Sequence, residues 1–304
     1  MLLIRNGWIH TMTQAGGFTG DILTDGGKLL RVERRIDPST LEPEHIVEAE
    51  GLHVYPGLID AHMHLVRASE DETKNMLDLC SDALSSGVTT QALWPEEGGE
   101  CIVCHGHERA ICTDAPMHIV RHEDMSDQAL ADIMAETALS GRRLACEVYG
   151  EKALRRLLSL RQESGCPLVM THLTGCEAMA REIIASGCEV IMGACVLRSG
   201  GNAYGLAAEL ARAGVTLALT SDYPATRLHH LPLCAGLCVR GGMDRQDALR
   251  AITVQAARLL RVEKDCGTIE PGKRADLAIF DGDPLMLATA RVMTVSAGEI
   301  VRES

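Results

Sequence analysis

Pro56-Gly57-Leu58-Ile59-Asp60-Ala61-His62-Met63-His64 is the stretch from which the fold can be read. An apolar segment follows a Pro-Gly turn signal and ends on two imidazoles. Side chains along a strand alternate with period two, so His62 and His64 project to the same side. Two imidazoles on one rigid strand end make a metal-binding pair. Outward from here, apolar strands alternate with helical periods. The expected strands are Leu58–His64, Thr89–Trp94, Cys101–Cys104, Met117–His122, Leu144–Val148, Leu168–His172, Glu189–Gly193 and Thr216–Thr220. Between them, Leu130, Ile133, Met134 and Ala138 share one helical face, as do Leu154, Leu157, Leu158 and Arg161. Thr174 and Glu177 have the spacing of a capping box at a helix start. Eight strands with intervening helices predict an α/β fold, a TIM-like (β/α)8 barrel over residues 56–265. It lacks one helix, since none is visible between Cys104 and Met117.

The flanks have another rhythm. Leu2-Leu3-Ile4 and Trp8–Met12 are short strands around Asn6-Gly7, a hairpin signal. Ile22-Leu23 and Leu29–Val32 flank a second turn at Asp25-Gly26-Gly27, and Ile46-Val47 and His53–Tyr55 continue the pattern. Strands return at Ala275–Phe280 and Met293–Ser296, separated by Asp281-Gly282-Asp283-Pro284. A β unit built from residues 1–55 and 266–304 would explain why strands bracket the barrel. The length of 304 residues suits one barrel of about 200–250 residues with such an appendage.

Composition narrows the function. The 29 basic and 42 acidic residues leave a net charge of −13, which repels phosphate backbones. With only 2 Phe, 4 Tyr and 2 Trp there are few platforms for stacking bases, so no nucleic-acid partner is expected. Apolar runs fall short of the ~18 residues of a membrane span, and no secretory pattern opens the chain. The twelve cysteines are scattered, mostly in apolar segments such as Gly193-Ala194-Cys195-Val196. They read as small buried hydrophobes with reduced thiols, and the expected location is cytoplasmic.

Four stretches together resemble the amidohydrolase superfamily: Pro56–His64, Ser86-Gly87-Val88-Thr89-Thr90, Leu217–Pro224 and Gly267–Ile279. They look most like its imidazolonepropionase-like, cyclic-amide hydrolase branch. The resemblance covers nearly the whole chain. It implies a metal-containing barrel with a β-sandwich built from both chain ends, ligands on strands one, four, five, six and eight, and a homo-oligomer. His172 ends the sixth strand and Asp222 the eighth. A carboxylate at the end of a buried strand needs a partner, because an unpaired buried charge is costly. Where the family carries histidine on strand five, this chain has Glu147. Where it carries lysine or glutamate on strand four, His118 aligns, with His122 and Glu123 as alternatives. The expected ligands are thus His62, His64, His118, Glu147, His172 and Asp222, for one or two divalent ions. Zinc is the first expectation, with manganese or iron as alternatives.

A small-molecule substrate is expected to meet Arg198, Tyr149, Arg227 and His229; arginine holds carboxylates bidentately. Trp94 is expected either in the pocket wall or in the core. Cys101, Cys104 and His105, with His107 and Cys112 nearby, match a haem-attachment spacing. That chemistry needs export, so a structural zinc site or inward-packed cysteines are the competing expectations. The expected chemistry is attack of a metal-activated water on a C–N bond of a cyclic amide, amide or amidine. Asp222 acts as general base and His172 supports the developing charge. Lactone or ester hydrolysis, and a non-catalytic partner-binding barrel, are the alternatives.

Overall fold

In the computed structural model, the described residues are 1–64, 79–94, 99–106, 117–120, 122–123, 125–193 and 203–303. Strands β1 (Leu2–His10), β2 (Gly17–Asp25), β3 (Lys28–Glu33), β4 (His45–Glu48) and β5 (His53–Pro56) come first. The turn at Asp25-Gly26-Gly27 forms as expected, with Asp25 paired to Lys28 across β2 and β3. Asn6-Gly7 does not form a hairpin. β1 runs straight through it, and its register against β2 shifts between Ile4 and Gly7. Asn6 takes a positive φ of 59°, and its N–H donates to Asp21 Oδ1 at 2.9 Å. Cross-strand pairing has turned a local turn signal into a bulge.

The barrel strands are β6 (Leu58–His64), β7 (Val88–Trp94), β8 (Gly99–Glu100), β9 (Ile102–His105), β10 (Met117–Val120), β11 (Arg143–Tyr149), β12 (Leu168–Thr174), β13 (Glu189–Gly193) and β14 (Leu217–Thr220). Each of the eight expected strands is present. They do not close into one ladder. β6, β7 and β9 form one sheet; β14, β13, β12, β11, β10 and β8 form another. β6 and β7 pair in parallel, and so do β10 to β14, but β9 runs antiparallel to β7. A parallel neighbour needs a crossover of about a dozen residues or more. Only residues 95–101 separate β7 from β9, enough for a return but not for a crossover. The two sheets meet at two seams. Cys101 N–H donates to the Met117 carbonyl (3.1 Å), and His64 N–H donates to the Tyr223 carbonyl (2.8 Å).

One core gathers Ile59, Ala61, Ala92, Trp94, Val103, Met117, Ile119, Ala145, Val169, Ile191 and Ala218, side chains from all eight expected strands. A second apolar layer lies between strands and helices. The helices are α1 (residues 79–84 described), α2 (Asp127–Ser140), α3 (Glu151–Ser164), α4 (Ala180–Ser186), α5 (Ala203–Arg212), α6 (Leu231–Arg240), α7 (Arg245–Ala251) and α8 (Val254–Leu260). Leu130 and Met134 of α2, and Leu154 and Leu157 of α3, are buried as their spacing predicts. Thr174 caps no helix. β12 runs on to Thr174, whose carbonyl accepts from Gly150 N–H, and the following turn starts at Cys176 without a side-chain cap.

Strands β15 (Leu277–Phe280), β16 (Arg291–Ser296) and β17 (Glu299–Glu303) close the chain's course. They join the first five strands in one eight-stranded sheet, ordered β17-β16-β15-β5-β1-β2-β3, with β4 also paired to β1. Both chain ends thus contribute strands to one hydrogen-bonded sheet. No described helix is long and apolar enough to cross a membrane. The ten described cysteines are free thiols, and all are buried.

Candidate metal centre

Strand β6 delivers His62 and His64 side by side, with ring centroids 4.7 Å apart. The close approach of β6 to β7 depends on Gly57, where a Cβ would lie 2.0 Å from Thr89 Oγ1. Trp94 of β7 is core and wall at once. Its ring meets the His62 ring edge-on at 4.2 Å, and its Nε1–H donates to the Ala61 carbonyl at 3.2 Å.

His172 reaches the same point by a different device. Met170 packs into the outer layer and Val169 into the inner one, so strict alternation would turn His172 outward. His172 and Leu173 instead take positive φ values of 66° and 55°, which breaks the alternation. Asp222, just past β14, has φ 55°. Each such residue costs about 1–2 kcal/mol. Backbone strain thus gathers at two of the four residues that converge.

His62, His64, His172 and Asp222 offer ligand atoms that all lie within 4.8 Å of one another. His62 Nδ1 is 3.1 Å from Asp222 Oδ1, and His64 Nε2 is 3.8 Å from the same oxygen. Glu147 stands over the group. Its Oε1 is 4.0 Å from His62 Nε2, 3.9 Å from His64 Nε2 and 3.8 Å from His172 Nε2. The His172 ring, with His62 and His64 behind it, holds the Glu147 carboxyl down to about 2, although partial burial works the other way. Burial lowers His62 to about 4, with Asp222 opposing and the His172 and His64 rings assisting. His62 is therefore neutral at ordinary pH, with a lone pair to offer.

The side chains fit a cation. His62 and His172 are buried, and among the described residues neither ring nitrogen of either has an aligned hydrogen-bond partner. Leaving a buried polar atom in that state costs about 1–3 kcal/mol. Imidazole and carboxylate donors around one point answer that cost by binding a divalent ion, and the set suits zinc, manganese or iron.

Not every expected residue arrives. His118 leaves the set. Its neighbours Met117 and Ile119 point into the inner core, so His118 faces the other way, where its Nδ1 meets Glu100 Oε1 at 3.2 Å. His122 is buried and donates from Nε2 to the Glu147 carbonyl (2.8 Å), holding β11 rather than joining the imidazoles. Glu123 is exposed. Tyr149 does sit beside the group. Its ring stacks on His172 at 5.3 Å, and its hydroxyl donates to Glu147 Oε2 at 3.2 Å. Arg227 and His229, at a 3-10 helix over Leu228–His230, line a cavity of about 530 Å³ with Asp82, Ser85, Ser86 and Tyr223, to which none of the four converging residues contributes. Arg198 lies outside the described residues, as do His107 and Cys112. Cys101, Cys104 and His105 are buried in the strand layer. His105 Nδ1 meets Thr90 Oγ1 at 2.9 Å, and no metal-like group forms around them among the described residues.

Asp60 is the residue whose part went unread. It is fully buried and accepts from Ser221 Oγ (2.6 Å), Ser221 N–H (3.1 Å) and the Thr220 hydroxyl. The signal was present: a lone carboxylate inside the apolar run Leu58-Ile59-Asp60-Ala61. Its partners lie some 160 positions away, beyond any spacing rule.

A TIM-barrel-like α/β fold with imidazoles and a carboxylate gathered at its strand ends defines a class of protein, and residues 104–302 match the Amidohydrolase family. The chain belongs to that family. Adenine deaminase 2 of Rhizobium etli is 28% identical over 318 residues, covering 86% of this chain and 50% of that protein. The chain thus spans about half the length of that relative. An amidohydrolase structure from Thermotoga maritima MSB8 superposes with a TM-score of 0.85 at 18% identity, covering 100% of both chains. Atrazine chlorohydrolase from Arthrobacter aurescens TC1, complexed with zinc, gives a TM-score of 0.74 at 18% identity, covering 100% of this chain and 95% of its own.

Proposed function

We propose that this protein is a metal-dependent hydrolase of a C–N bond in a small cyclic amide, amide or amidine. The observation that carries the reading is the convergence of His62, His64, His172 and Asp222 from three strand ends on one point. Likeness to an adenine deaminase and to a zinc-complexed hydrolase supports it. His62, His64 and His172 would hold the ion, with Asp222 and Glu147 as further oxygen donors. When bound, such an ion supplies Lewis acidity, bringing the pKa of water towards neutrality and polarising the scissile bond.

The chain's own groups do the rest. Asp222 accepts the proton of the attacking water and returns it to the leaving nitrogen as the tetrahedral centre collapses. His172 stands beside that carboxylate, with Nδ1 3.9 Å from Asp222 Oδ2, and helps to orient it towards the reacting centre. Tyr149, half-exposed and stacked on His172, offers a flat face to a planar substrate.

The test is an assay of zinc- or manganese-loaded protein on adenine, dihydropyrimidines, hydantoins and lactams, with lactones in parallel. Asp222→Asn should lower kcat by about 100-fold or more on the turned-over substrate while the protein stays folded. Hydrolysis of lactones alone would move the reading to C–O bonds. A chain that binds no ion and turns over nothing after metal addition would point to a non-catalytic barrel.

A further inference from the structure

We infer that Asp60 is the positioning residue of the centre: it holds the Thr220-Ser221-Asp222 segment so that the Asp222 carboxylate faces His62. The inference rests on the metal-centre reading above and extends it to a residue that touches neither ion nor substrate.

The geometry is specific. Asp60 is fully buried, and its two oxygens collect the Ser221 N–H, the Ser221 hydroxyl and the Thr220 hydroxyl. The Thr220 oxygen in turn accepts from Asp222 N–H at 2.9 Å, two bonds from Asp60. The same Thr220 hydroxyl lies against the His62 carbonyl, and His62 N–H points back to Asp60 Oδ1 at 3.4 Å. One carboxylate therefore ties the end of β6, which carries His62 and His64, to the end of β14, which carries Asp222. The tie is needed because the seam between these strands has no ladder of its own. Asp222 also takes a left-handed backbone conformation, φ 55°, that a non-glycine residue abandons unless its surroundings hold it there. A carboxylate is the right group for this task. It only accepts, it offers two oxygens, and every partner here is a donor. Asparagine would present its NH2 to one of those donors and break the set.

The test uses the full chain with Co2+ and Zn2+ as probes, so that no substrate is required. Wild type, Asp60→Asn, Ser221→Ala, Asp222→Asn and the double variant Asp60→Asn/Asp222→Asn are stripped of metal and titrated. Co2+ absorption bands, metal affinity and thermal melting are read in each. Asp60→Asn is expected to weaken Co2+ binding by about 10-fold and to shift its visible bands in the same direction as Asp222→Asn. The double variant should bind no more weakly than Asp222→Asn alone, because both changes remove the same contribution. Should Asp60→Asn fail to fold, Ser221→Ala carries the same readings. A lowered melting temperature with wild-type Co2+ affinity and bands would make Asp60 a purely structural residue and overturn the inference. So would additive losses in the double variant, which would mean that Asp60 acts other than through Asp222. If Asp222→Asn itself leaves Co2+ binding unchanged, the metal-centre reading falls first, and that result is separable from the other two.

Discussion

A carboxylate such as Asp222 at the end of a buried strand is useful only while its neighbours leave it room. Gly193 provides that room. A Cβ there would lie 2.5 Å from Thr220 Cγ2, 2.9 Å from the Thr220 carbonyl and 3.2 Å from Asp222 Cβ. Two of these are backbone or branched side-chain atoms with nowhere to move. Gly193→Ala should therefore cost about 1–3 kcal/mol of stability, by the usual penalty for overpacking, and should weaken zinc binding by displacing Asp222. Urea unfolding and zinc competition check the two effects separately; an unchanged urea midpoint would contradict the contact. Glu147 shows the opposite economy. Its carboxyl is held well below the usual carboxylate range by the His172 ring beside it, with His62 and His64 adding to the effect.

At the scale of elements, β1 and β5 carry a ladder of rings. His10 stacks on Tyr55 at 4.0 Å with 6° between planes, and His10 Nε2 meets His53 Nδ1 at 2.9 Å. Burial, then His53 and Arg245, lower His10 to about 4 from an ordinary 6.5. Between those values the unfolded chain binds a proton that the folded chain refuses. This contribution is therefore complete above pH 6.5 and is lost as pH falls towards 4. Melting temperatures from pH 7 to 4 should fall less steeply in His10→Phe, which keeps the stacking, than in wild type. Equal slopes would refute the assignment. The strands themselves were legible because buried parallel strands are continuous apolar runs, and Leu168–Met170 or Leu217–Leu219 admit little else. Three features were not. Asn6-Gly7 reads as a turn until β2 is known to pair across it. His172 was expected at the site from the family resemblance, but the left-handed backbone that brings it there has no signature in the sequence. His118 was placed by alignment, although its parity with Met117 and Ile119 argued against it, and inner and outer faces are not visible before the sheet exists.

In the whole molecule, the sheet grips the barrel through groups that helices leave unsatisfied. Arg291 Nε donates to the Ser85 carbonyl (2.8 Å) and Thr294 Oγ1 to the Leu84 carbonyl (2.8 Å), at the end of α1. The last carbonyls of a helix have no partner within it. Asp276, buried and raised from its ordinary value chiefly by that burial, accepts from Arg274 and from Ala297 N–H, while its own carbonyl receives Gly57 N–H at the start of β6. Thr294→Val would remove one of two donors to the Leu84 carbonyl, which keeps the Gly87 N–H at 3.1 Å, and should lower unfolding stability by about 0.5–1.5 kcal/mol. A shift in the urea midpoint reports it, and no shift would show that water replaces the hydroxyl. The sheet has one more consequence. β5 pairs with β15 through Pro56 and Leu277, so the earlier strand emerges from the ribosome long before its neighbour. At about 5–20 residues per second, roughly 10–40 s pass between them. Throughout that interval β5 presents an open hydrogen-bonding edge of the kind to which stray strands attach. Translation speed, and whatever shields nascent chains, thereby become determinants of soluble yield.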